Sequence, residues 1–216
     1  MNLETARTQM LGQQVRAWDV FDERVLNAMR ETARERYVPQ SQRDLAFVDT
    51  EVPLGHGQHM MAPKVEGRLL QALKLEPTDN VLEVGTGSGY LTACLAKLSG
   101  RVKSVDIFPD FVASARKVLA EDRIANAELH TADALSLSHR AEFDAIAVTG
   151  SVPELDERFI RMLRPDGRLF IVVGRAPVME ARLITMRANG QWIEESLFET
   201  LLTPLLNVER PEPFIL

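Results

Sequence analysis

"VLEVGTGSGY", residues 81–90, decides how the rest of the chain folds. Val81, Leu82 and Val84 make a short apolar run of the kind found in strands covered on both faces. Gly85, Gly87 and Gly89 follow, and "YLTACLAKL" then resumes apolar residues at helical spacing. A strand that enters a helix through a glycine turn leaves amide N–H groups facing outward at the helix start. It also lets another molecule approach the bare backbone. A tight turn with a purely structural role is the alternative reading.

Outward from this turn the same grammar recurs. "RVKSVD", "AELHTAD", "FDAIAVTG" and "GRLFIVVG" read as further strands. "GSGYLTACLAKLSG", closed by Gly100, "PDFVASARKVLAED" and "VPELDERFIRML" read as the helices between them. Strand and helix in alternation predict a doubly wound, mostly parallel sheet with helices on both faces. "ARLITMRANGQWIEESLFET" departs from this and predicts two strands joined across Asn189-Gly190. Upstream, residues 1 to about 36 read as helical, with Asp22 capping a helix whose Val25, Leu26 and Met29 share a face. "YVPQSQRDLAFVDTEVPLGHGQ", residues 37–58, reads as connecting loop. "PKVEGRLLQALKL" resumes a helix with Pro63 in its first turn and Val65, Leu69, Leu70 and Leu73 on its buried side. The expected organisation is one domain over 1–216: an N-terminal helical cap and substrate loop (1–78), a cofactor-binding core (79–175), and a C-terminal hairpin and tail (176–216).

Composition limits the function classes. The 216 residues are 45% hydrophobic and 26% charged, with net charge −6, which argues against nucleic-acid or anionic-membrane partners. Glu31 and Glu35 interrupt the basic run "RETARERY", which therefore reads as a solvated helix face. A single cysteine, Cys94, excludes an intrachain disulfide and fits a reducing cytoplasm. Its place on an apolar helical side marks a small core residue rather than a nucleophile. "MNLETARTQMLGQQVRAWDV" has no signal-peptide core, and no window approaches the ~18 apolar residues of a membrane span, so a cytoplasmic protein is expected. Oligomeric state is not legible.

The glycine spacing bears on the ligand. A dinucleotide loop wants glycine at its first, third and sixth positions, but counting from Gly85 the sixth is Tyr90. Glycines at 85, 87 and 89, with Glu83 two residues ahead, suit a compact ligand carrying an adenosine and a cationic centre. Asp106, 21 residues beyond Gly85, ends the second strand, where a carboxylate can accept from both ribose hydroxyls. Its alternative is a cap on the following helix. Asp133, in "HTADALS", can accept from an adenine amino group or be a simple loop aspartate.

"VLEVGTGSGYLTACLAKL", "SVDIFPDF", "TAD" and "LRPDGRLFIVVG" together resemble the successive motifs of S-adenosylmethionine-dependent methyltransferases. The flanks narrow this. "DERVLNAMRETARERYVPQSQRDLAFVDTEVPLGHGQ" and "FETLLTPLLNVERPEPFIL" resemble the N-terminal region and tail of protein-L-isoaspartate O-methyltransferases, so the likeness covers nearly the whole chain. It implies a Rossmann-like fold of the class I methyltransferase type and S-adenosyl-L-methionine as cofactor. By resemblance, Glu83, Gly85, Thr86, Gly87, Ser88 and Gly89 line the methionine and ribose part. Asp106 and Ile107 hold ribose and adenine, and Asp133 with Ala134 meets the adenine edge. The implied reaction methylates the carboxylate of isoaspartyl residues in damaged proteins.

The substrate loop departs from the family. Where relatives read glycine-glutamine-threonine-isoleucine-serine-glutamine-proline, this chain has Gly57-Gln58-His59-Met60-Met61-Ala62-Pro63. Met61 stands at the active-site serine, and a thioether donates no hydrogen bond to a carboxylate. After the third strand "ADALSLSHRAEF" replaces the family's glycine-aspartate-glycine and tryptophan loop. His59 can replace the lost donor, can act as a general base for a hydroxyl or amine acceptor, or can be partly solvated while Met60 and Met61 pack against the cofactor. A metal site at His56 and His59 lacks a third ligand, with His130 and His139 not placed to supply one. Two alternatives stand beside the isoaspartyl reading: a diverged enzyme methylating a small acceptor, and a cofactor-binding module without turnover.

Overall fold

The computed structural model describes residues 2–208, so the sequence's final "PEPFIL" lies outside the described part. Its centre is a seven-stranded sheet of β3 (Asn80–Val84), β4 (Arg101–Asp106), β5 (Ala127–Thr131), β6 (Phe143–Val152), β7 (Leu163–Arg175), β8 (Val178–Met186) and β9 (Trp192–Glu199). The spatial order is β5-β4-β3-β6-β7-β8-β9. The first five strands pair in parallel and β7-β8-β9 pair antiparallel, as the two sequence patterns predict. Successive residues point to opposite faces: Ala145 and Ala147 enter one apolar cluster, Ile146 and Val148 the other.

One face carries α3 (Pro63–Leu73), α4 (Tyr90–Leu98) and α5 (Pro109–Glu121), over which α1 (Leu3–Met10) and α2 (Glu23–Glu31) pack. The other face is covered by the short α6 (Glu157–Arg161) through Phe159 and Ile160. Asp22 caps α2 by accepting from the Arg24 amide at 2.8 Å, and Val25, Leu26 and Met29 are buried. Cys94 is buried in α4, and burial pushes its thiol up to about 12, which fits a core residue.

Three expectations are corrected. The loop at 37–58 contains a hairpin: β1 (Val52–Gly55) pairs antiparallel with β2 (Gln58–Met60). Strands of four and three residues are too short to show a period, and the two turn glycines, Gly55 and Gly57, mask it. "VPELDERFIRML" is helical only from Glu157 to Arg161, capped by Asp156. "RETARERY" is not a solvated face, because α2 stops at Glu31 and the following turn carries Arg34 inward to 1% exposure. There it pairs with the equally buried Glu66 of α3. Two buried charges that satisfy each other are invisible to a reading of sequence polarity alone.

The β3–α4 turn rests on a buried carboxyl. Glu83 Oε2 accepts from Thr92 Oγ1 of α4 at 2.5 Å and from Ser104 Oγ of β4 at 2.6 Å. Its Oε1 has no partner. Burial, partly offset by the Ser104 and Thr92 bonds, pushes this carboxyl from 4.5 up to about 8. The folded chain thus keeps a proton that the unfolded chain has released between those values. Stability from this group therefore falls as pH rises from about 4.5 through about 8, is unpenalised below and fully penalised above. Glu83→Gln should make the decline in urea midpoint between pH 5 and pH 8.5 visibly shallower. An unchanged slope would mean the carboxyl is not protonated in the folded state.

Candidate functional site

A cleft opens at the carboxyl ends of β3, β4, β5 and β6, where the sheet order reverses between β3 and β6. Ligands of open parallel sheets bind at such a switch point. The cleft is lined by residues of the glycine turn, the ends of β4 to β6 and the β1–β2 hairpin.

Gly85, Thr86, Gly87 and Ser88 form its floor at the tip of β3. Gly85 has φ +95°, and a Cβ there would lie 2.1 Å from Thr149 Oγ1, so no other residue fits. Thr149 in turn donates to the carbonyls of Val84 and Gly85, fastening the turn to β6. Thr86 is buried and hydrogen bonds Ser104 at 2.6 Å. These contacts hold the backbone open as a cradle that a side chain would fill.

Asp106, at the end of β4, lines the same cleft with Ile107. Its Oδ2 accepts from the Gly87 amide at 2.8 Å and Oδ1 from the Phe108 amide at 3.0 Å. Burial raises its carboxyl above the ordinary value, and the two amides oppose this. The helix cap at α5 is Phe108, with no side-chain bond, so Asp106 ties the glycine loop to the next turn instead. Asp133 and Ala134 line the far side. Asp133 accepts from the Leu135 amide and from Asn207 Nδ2, both at 2.9 Å.

The β1–β2 hairpin forms the opposite wall through Leu54, Gln58, His59, Met60 and Met61. Its tip is pinned across the cleft: His56 stacks on Phe108 at 4.2 Å, and its Nε2 lies 2.9 Å from Asp110 Oδ2. Met60 and Met61 are buried, whereas His59 is exposed with Nδ1 3.3 Å from Thr203 Oγ1. Glu51, its carboxyl raised by burial and pulled back by His59, stands on the same wall. Residues Leu202 to Leu206 run back along the cleft, held by a bridge between Ser151 and Pro204.

Of the sequence-derived candidates, Gly85 to Ser88, Asp106, Ile107, Asp133, Ala134 and Gln58 to Met61 share this cleft. Glu83, Gly89 and Gly57 do not line it. Glu83 is buried behind the loop, Gly89 takes φ +83° against Ala115, and Gly57 sits in the hairpin turn. His139 turns away, between Lys103 Nζ at 3.0 Å and Glu142 Oε2 at 2.5 Å. Reasoning from sequence missed Glu51, Glu66, Thr149 and Thr203, which all line the cleft. It missed Arg34 beneath it for the reason given above. Glu66 carried a signal: a carboxylate at position 66 sits one residue after Val65 on the buried side of α3.

Comparison with known proteins agrees with this geometry. The sequence model described as protein-L-isoaspartate(D-aspartate) O-methyltransferase matches residues 6–210. A protein-L-isoaspartate O-methyltransferase of Rhodopseudomonas palustris is 34% identical over 209 residues, covering 94% of this chain and 96% of the relative. One from Anaeromyxobacter dehalogenans is 39% identical over 192 residues, covering 88% and 92%. A crystal structure of a Plasmodium falciparum protein, described as a putative member of that class in complex with S-adenosyl-L-homocysteine, superposes with TM-score 0.79. That pair is 25% identical over 95% of this chain and 98% of the other. With its family model matched almost end to end and its relatives spanned at nearly full length, the chain belongs to the protein-L-isoaspartate(D-aspartate) O-methyltransferase family.

Proposed function

We propose that this chain transfers the methyl group of S-adenosylmethionine to the free carboxylate of isoaspartyl residues in proteins. The observation that carries the reading is one cleft with two walls. The glycine turn, Asp106 and Asp133 form one wall, and the hairpin residues Gln58 to Met61 form the other. When bound, the cofactor supplies an electrophilic methyl on a sulfonium. Gly85 and Gly87 admit the methionine and ribose portion against bare backbone, Asp106 accepts from the ribose hydroxyls, and Asp133 and Ala134 meet the adenine edge. The acceptor carboxylate is already ionised at neutral pH, so the chain needs no general base for it. Its work is alignment of the acceptor oxygen with the methyl carbon, with water kept out by Leu54, Met60, Met61 and Leu205.

Asp106→Ala should weaken S-adenosylhomocysteine binding by about 1.5–3 kcal/mol, the worth of hydrogen bonds to a charged acceptor. Calorimetric titration reads this directly, and equal binding by the variant removes Asp106 from the ribose site.

The acceptor wall makes a second prediction. Met61 offers no donor, so methylation of an isoaspartyl peptide should be slow, and His59→Thr with Met61→Ser should raise kcat/KM about ten- to a hundredfold. Labelled methyl transfer to an isoaspartyl peptide, beside its aspartyl control, measures both proteins. Efficient transfer by the unaltered chain, with no gain in the variant, would mean His59 or a backbone amide already supplies the contact. Transfer by neither, with cofactor bound to both, would turn the reading toward a smaller acceptor.

A further inference from the structure

The cleft contains one carboxyl that the reading above leaves without a task. Glu66 sits in the first turn of α3, 1% exposed, yet it lines the same cleft as the glycine turn. Glu66 Oε2 accepts from Arg34 Nη1. Arg34 Nη2 donates to the Met61 carbonyl at 2.7 Å, and its guanidinium carbon lies 4.7 Å from the centre of the Tyr90 ring. The groups around Glu66 come from three further elements: Arg34 from the turn after α2, Glu83 from β3, and Tyr90 and Cys94 from α4.

At this end of the cleft a buried ion pair lies against the space a ligand would fill. Glu66 has one cationic partner, Arg34, while Glu83 is bonded to Thr92 and Ser104 behind the loop and Tyr90 and Cys94 are held neutral by burial. Burial pushes the Glu66 carboxyl up to about 7, with Arg34 only partly opposing it. A buried carboxylate is stabilised by a cation placed against it. Asp106 and Asp133 would meet the adenosine, whereas Glu66 lies near Tyr90 at the start of α4 and is tied through Arg34 to Met61 of the substrate loop. The cofactor carries two cationic groups. Its sulfonium must face the acceptor for the methyl to transfer, which leaves the amino-acid ammonium for the floor.

We infer that Glu66 is a cofactor-binding residue that receives the α-ammonium of the methionine portion, with Arg34 fixing both this carboxylate and the substrate loop above it. The inference rests on the cleft being the S-adenosylmethionine site. Nothing in the glycine motif announces Glu66, because its contribution comes from a helix that precedes the motif by some twenty residues.

Two ligands separate the possibilities. S-adenosylhomocysteine keeps the ammonium, whereas 5′-methylthioadenosine keeps adenosine and thioether but lacks the amino-acid end. Calorimetric titration of both should show Glu66→Gln weakening S-adenosylhomocysteine about ten- to a hundredfold while leaving methylthioadenosine unchanged, since one hydrogen bond to a charged group is lost. Glutamine keeps a side-chain acceptor for Arg34, and the methylthioadenosine arm reports whether the cleft is intact. Unchanged S-adenosylhomocysteine affinity overturns the inference. An equal loss for both ligands also overturns it, because Glu66 would then act through the shape of the cleft. If the unaltered protein binds neither ligand, the cofactor reading itself fails and takes this one with it. Binding of both without discrimination by Glu66→Gln sinks only the assignment to Glu66.

Discussion

The Arg34 guanidinium joins three parts of the chain that lie far apart in sequence: the helical cap, the first turn of α3 and the loop that faces the acceptor. One nitrogen meets Glu66 and another meets the Met61 carbonyl, while the flat face of the group covers Tyr90. A lysine would supply the charge but not this fork, because an ammonium is a point donor rather than a plane. Removing either member of such a pair leaves an uncompensated buried charge, typically a loss of about 3–5 kcal/mol. The cap is therefore coupled to the site and is more than a cover for the sheet. Arg7 extends the same logic outward by pairing with Glu35 at 2.6 Å, which holds the turn carrying Arg34 against α1.

The two walls of the cleft differ in how they are fixed. The cofactor wall is built from strand ends whose backbone is locked by neighbours: Thr149 against Gly85, Ser104 against Thr86 and Glu83, and Asp106 across Gly87. Strand ends in the middle of a sheet move little, which is what a site for a rigid adenosine requires. The opposite wall is a short hairpin, Val52 to Met60, held at its tip by the His56 and Phe108 stack and at its base by Arg34. Peptides vary, and a wall attached at two points can be altered without disturbing the sheet.

This difference explains what could be read from the sequence. The parallel core is legible because strand-like segments alternate with helical ones from residue 80 onward, and the glycines at 85, 87 and 89 mark the turn at the end of β3. β1 and β2 were not legible, since a strand of three or four residues carries no period and is specified by its tertiary partners. Arg34 was misread for a related reason. Its neighbours Glu31 and Arg36 are exposed, and only the end of α2 at Glu31 turns position 34 inward. The family resemblance puts Glu83 against the cofactor, but its side chain is buried behind the loop, bonded to Thr92 and Ser104.

The same anchoring bears on how the substrate loop could diverge. Arg34 grips the carbonyl of residue 61, not its side chain, so the backbone there is held whatever side chain stands at that position. A serine and a methionine thus present different chemistry from one backbone path. Met61, buried against the cleft with Met60 next to it, makes this stretch more apolar, and the polar contacts shift to the rim. There His59 Nδ1 lies 3.3 Å from Thr203 Oγ1, and Glu51 stands on the same wall. A substrate carboxylate entering past that rim would meet a hydrogen-bonding pair from the hairpin and the C-terminal segment before it reaches the apolar floor. The polar contact at this rim thus joins residues 59 and 203, distant in sequence, and the loop motif alone does not describe it.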